Sequence, residues 1–92
     1  MIVHESAYKH WLQRSGVGKK DQVADSRASY VSYLRSVSNI LGEDVSPATI
    51  SSHEALERIF RRLTGARSPN TLRNYRSALR QYLAMVEARA HP

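Results

Sequence analysis

Ser68-Pro69-Asn70-Thr71-Leu72-Arg73-Asn74-Tyr75-Arg76-Ser77-Ala78-Leu79-Arg80-Gln81-Tyr82-Leu83 is the stretch that decides the fold. Ser68 offers a side-chain oxygen to the first free N–H groups of a helix. Pro69 brings the fixed φ and missing N–H that the first helical position tolerates. A helix therefore starts here and, meeting no glycine or further proline, runs to about Ala88. At 100° per residue, Leu72, Tyr75, Leu79, Tyr82, Leu83 and Val86 share one face, while Arg73, Arg76 and Arg80 line a flank beside Asn74, Ser77 and Gln81. An apolar stripe on one side and donors on the other is the pattern of a helix packed on other helices.

Three more segments upstream carry the same period. Residues 52–64 form a helix capped by Ser51 or Ser52, burying Ala55, Leu56, Ile59, Phe60 and Leu63, turning Arg58, Arg61 and Arg62 outward and stopping at Gly65. Residues 20–41 form a long helix with Val23, Tyr30, Leu34, Val37 and Leu41 on one face and Gly42 as its stop. Between them Pro47 disfavours helix at Ser46, and Val45 or Ile50 tucks inward. Residues 5–13 form the first helix, with Tyr8, Trp11 and Leu12 as its buried stripe and Trp11 as anchor. No segment alternates as a strand would, so the expected fold is all-α, a small four-helix bundle forming one domain.

The chain has 92 residues, of which 41% are hydrophobic and 24% charged, enough for one packed core and too few for a large enclosed substrate pocket. The termini and two loops are expected to be loose. It has no cysteine, which removes thiolate nucleophiles and thiolate metal sites and fits a reducing, cytoplasmic setting. Met1-Ile2-Val3-His4-Glu5 has no signal-peptide character, and no stretch approaches the ~20 apolar residues of a membrane span.

Net charge is +6 and its distribution is uneven. From Arg58 to Arg89 there are eight arginines against one acid, Glu87, whereas residues 21–57 hold six acids and only Arg27 and Arg35. A solvated helix face usually mixes both signs so that i, i+4 pairs form, and this flank does not. Arginines a turn apart beside short amides and hydroxyls suit phosphate neutralisation and base-edge contact. The free N–H groups at the start of the last helix add an anion site within reach of Arg67, Asn70, Thr71 and Arg73. Lys19 and Lys20 would grip a second phosphate or serve as an ordinary solubilising pair.

Other chemistry is thinly represented. The five tyrosines fall in or near the apolar stripes and read as core rings with hydroxyls at the surface, with Tyr33 the one placed to touch a partner. Histidines 4, 10, 53 and 91 are scattered, without the i, i+4 spacing of a helical metal site, so no metal is expected. No serine has a nucleophile-elbow context and no glycine-rich loop precedes a helix, so no enzyme, cofactor or small-molecule substrate is expected.

Taken together, Tyr8-Lys9-His10-Trp11-Leu12, then Tyr30-Val31-Ser32-Tyr33-Leu34, the connector from Val45 to Ile50 and the closing run from Ser68 to Leu83 resemble the N-terminal core-binding domain of tyrosine recombinases, the phage-integrase class. The last run is the most specific part, with its Ser77-Ala78-Leu79-Arg80 ahead of an aromatic. The resemblance implies a SAM-like helical bundle that covers one side of duplex DNA during recombination and integration, with other protomers beside it. It implies contacts from Lys19, Lys20 and Arg27 at helix two and from Arg67, Ser68, Asn70, Thr71, Arg73, Asn74 and Ser77 at helix four. Arg76 and Arg80 join these from the charge pattern. The family's arginine, histidine and tyrosine catalytic set belongs to a separate domain, so this chain is either an excised domain or a free-standing relative. A different reading is a protein-interaction module, an adaptor or mobile-element inhibitor, which would show an exposed apolar or aromatic patch.

Overall fold

The computed structural model describes residues 1–14 and 26–90, and within them the side chains of all but Ser26, Arg27 and Ala90. Four helices follow one another: α1 (Glu5–Arg14), α2 (Ser26–Leu41), α3 (His53–Leu63) and α4 (Pro69–Ala90). They form a small helical bundle in which α4 packs on the other three and α2 also meets α1 and α3. The expected start of helix two, with Val23, lies outside the described residues. Helix four runs to Ala90, two residues past the expected end.

Side-chain caps set the boundaries. The extended Ser52 accepts the Ala55 N–H at 3.1 Å, choosing between the two candidate serines. Glu54 in the first turn of α3 and Arg61 and Arg62 in its last turn complement the helix dipole. Ser68 caps α4 through the Thr71 N–H at 3.3 Å, and its carbonyl takes the Leu72 N–H at 3.0 Å. Gly42 (φ +69°) lets the N–H groups of Gly42 and Glu43 turn back onto the Ser38 carbonyl, a left-handed stop that a Cβ would strain.

The core is continuous: Tyr8 and Leu12 from α1, Val31, Leu34 and Val37 from α2, Leu56, Ile59 and Leu63 from α3, and Leu72, Tyr75, Leu79, Tyr82 and Leu83 from α4. Ala78 and Met85 join the α4 face, and Ser38 joins that of α2. Trp11 is half-buried, with its indole N–H donated to Gln81 Oε1 at 3.0 Å, so it anchors α1 to α4 from the rim.

Two expectations need correction, and a third is exceeded. The first residues are not loose: Val3 N–H donates to the Val45 carbonyl at 2.8 Å and Val45 N–H to that of Met1 at 3.0 Å, with Ile2 buried between them. Both Val45 and Ile50 are buried, held by a turn in which the Ser46 N–H donates to Thr49 Oγ1 and the Thr49 N–H to Ser46 Oγ. Tyr8 and Tyr82 do not keep their hydroxyls at the surface. Tyr8 donates to the Ala78 carbonyl at 2.8 Å and Tyr82 to that of Val3 at 2.7 Å, their rings 5.5 Å apart. Backbone carbonyls inside the bundle are the acceptors, because a buried hydroxyl must find one. Burial lifts the Tyr8 hydroxyl pKa well above the usual range, with Tyr30 and Tyr82 adding to it. Burial pushes Tyr82 up to about 12, against a smaller lowering by Arg89.

Candidate nucleic-acid interface

Core residues of α4 take the side facing the bundle, which leaves Asn70, Arg73, Asn74 and Arg80 exposed and Thr71 and Ser77 half-buried. Arg73 and Arg80 are seven residues apart, two turns, or roughly 10 Å along the axis. Ser77 lies between them, its hydroxyl turned to the Arg73 carbonyl at 3.3 Å. Arg67 and Ser68 sit exposed at the mouth of the helix, Arg67 fixed by an Nη1 bond to the Ala66 carbonyl at 2.8 Å. No carboxylate among the described residues lies within ion-pair distance of Arg67, Arg73 or Arg80. Glu87, the one acid of this helix, lies 3.8 Å from His53.

Arg76 departs from the expected flank. Its Nη2 meets Glu57 Oε1 of α3 at 2.6 Å, and its guanidinium carbon lies 5.0 Å from the Phe60 ring centroid. The helical wheel sets it 60° round from Arg73, on the side that faces α3. There Glu57 and Phe60 capture it by charge and by cation–π attraction. It is a seam residue between two helices, its cation paired with Glu57. Lys19 and Lys20, and the side chain of Arg27, lie outside the described residues.

The same seam adds residues to the surface. The contacts Glu57–Arg76 and His53–Glu87 run α3 antiparallel beside α4, which brings the C-terminal half of α3 level with the first turns of α4. Arg58 and Arg61 are exposed there, with no ion-pair partner among the described carboxylates, whereas Arg62 reaches Glu43 at 3.3 Å. Their signal in the sequence was the arginine excess itself, which begins at Arg58. A shallow depression of about 450 Å³ bounded by His53, Glu54, Glu57, Arg58 and Arg61 mixes both signs, so the cationic character strengthens away from the first turn of α3.

Among the described residues no group of three or more His, Asp or Glu side chains is placed to hold a metal ion, and no helix is long and apolar enough to cross a membrane. Met1 is their one exposed large apolar side chain. No protein-family model matches this chain, and neither a curated protein nor a solved structure matches it.

Proposed function

We propose that this chain is a duplex-DNA-binding module without catalytic activity of its own. In this reading it is a cytoplasmic, SAM-like bundle of the kind that tyrosine recombinases carry ahead of their catalytic domain. The observation that carries the reading is the pair Arg73 and Arg80, exposed two turns apart on one helix face with no carboxylate partner among the described residues. Duplex DNA presents about one negative charge per 1.7 Å of axis, so cations at that spacing find phosphates without distorting either partner. Arg67 and the capped start of α4 extend the cationic line at one end, and Arg58 and Arg61 broaden it across the seam. Asn70, Asn74 and Ser77 stand among these cations as groups able to reach base edges or sugar oxygens. Among the described residues Met1 is the one exposed large apolar side chain, which favours the cationic face over an apolar docking patch as the main activity.

The test is a fluorescence-anisotropy titration against a short random duplex at about 50 and 200 mM salt. With about four to six phosphate contacts, log K falls by roughly 3.6 to 5.4 for each tenfold rise in salt. Absence of binding at the lower salt would overturn the reading.

A further inference from the structure

The opposite side of α4 holds a recess that the DNA reading does not use. Met85 and Arg89 lie roughly 120° and 160° round the helix from Arg73, and both border two adjoining lobes of about 240 and 320 Å³. The first lobe is closed by His4, Pro47 and Val86. The second is lined also by Ala7, His10, Trp11 and Arg14. Floor and rim differ in chemistry: Met85 is buried, Val86, Pro47 and Trp11 are half-buried, and Arg14 and Arg89 are exposed. Among the described residues no carboxylate lines either lobe. His4 at its edge has φ +60°, a left-handed backbone that residues with a Cβ seldom adopt and that concentrates at binding surfaces.

We propose that this recess binds an acidic peptide segment of a partner protein, its two lobes each taking one apolar side chain, with Arg89, which borders both lobes, and Arg14, which borders the second, meeting its carboxylates. Two features select that occupant. A rim that carries Arg14 and Arg89, with no acid among its described residues, is complementary to a negatively charged chain. Two small lobes in a row, each at or below the size of a small-molecule pocket, suit anchors projecting from an extended or helical segment better than one enclosed ligand. Met85, shared by both, is a flexible floor able to adjust to different anchors. The module would then join DNA on one face of α4 to an acidic protein segment on the other.

Trp11 is the chain's one tryptophan, so its emission reports on the second lobe directly. The probe is a short peptide of glutamates interrupted by one leucine and one phenylalanine, titrated into the full chain. Its control is a peptide of equal charge with both apolar residues replaced by serine. The expected result is a saturable shift of Trp11 emission with the first peptide, at least about tenfold weaker with the control and with the Arg14→Glu/Arg89→Glu variant. Circular dichroism establishes that the variant keeps its fold. The comparison of the two peptides stands on the unaltered chain if it does not. Equal response to both peptides, or no response, would overturn the proposal. So would a shift produced by duplex DNA, which would assign the recess to the nucleic acid, or one that grows with protein concentration alone, which would assign it to a second copy. Loss of DNA binding in the salt titration leaves these outcomes unaffected, so the two readings fail separately.

Discussion

The Arg76 guanidinium closes on the Glu57 carboxylate at 2.6 Å across the α3–α4 seam, with both side chains a little over one-third exposed on average. A pair so placed falls between a surface ion pair and a buried one, and the Phe60 ring beneath the guanidinium adds to it. Arg76→Ala is expected to lower stability by about 1 to 2 kcal/mol while changing DNA affinity less than about twofold, since its charge is already engaged. Urea melts and anisotropy on the same preparations check both halves. A large loss of affinity with unchanged stability would return Arg76 to the DNA-contacting set.

Arg73 and Arg80 are expected to behave in the opposite way. Arg73→Ala with Arg80→Ala removes two exposed cations and no packing, so the thermal midpoint stays close to that of the parent. The salt dependence of log K should drop by roughly 1.8, about 0.9 for each contact removed. If the double variant bound DNA as tightly as the parent, α4 would not be the contacting helix.

The buried tyrosines predict a response to alkali. Both hydroxyls hold their protons more tightly in the fold than in the unfolded chain, Tyr82 up to about 12 and Tyr8 higher. Their contribution is therefore complete below pH ~10, where an unfolded tyrosine is still protonated, and is lost as pH rises toward 12. Stability measured by urea at a series of alkaline pH values should fall across that window. In Tyr8→Phe/Tyr82→Phe the fall should be shallower, from a starting stability lowered by about 1 kcal/mol for each lost hydrogen bond.

Leu79 has no exposed surface and Ile2 very little. Leu79→Ala and Ile2→Ala are each expected to cost about 2 to 5 kcal/mol in urea unfolding. The second value is the more informative, because it measures whether the first residues are part of the core. A cost below about 0.5 kcal/mol would mean that burial of the Ile2 side chain contributes nothing.

Local chemistry explains which features were readable from the sequence. Ser68-Pro69 and Ser52 announce their helices because a cap needs only residues within one turn, and the stripes of α3 and α4 follow from spacing alone. The fate of Arg76 depended on a neighbour nineteen positions earlier, and its wheel position on the margin of the flank suited either outcome. The Met1–Val3 pairing with Val45 is too short to leave an alternating pattern, and the acceptors of Tyr8 and Tyr82 are carbonyls that any residue type supplies. Within the candidate interface, Arg67, Ser68, Asn70, Arg73, Asn74 and Arg80 are exposed where the spacing put them. Arg58 and Arg61 joined them only once the helices were docked.

Several bonds tie the beginning of the chain to its last helix: Val3 with Tyr82, Tyr8 with Ala78 and Trp11 with Gln81, at sequence separations of 79, 70 and 70. During synthesis, the first helix therefore leaves the ribosome long before its partners exist. Its apolar stripe must wait, open to chaperones or to other chains, until residues beyond Tyr82 have emerged. Closure of these long loops is then a late event, and a nascent chain stalled before α4 would present α1 as a sticky, unpartnered helix.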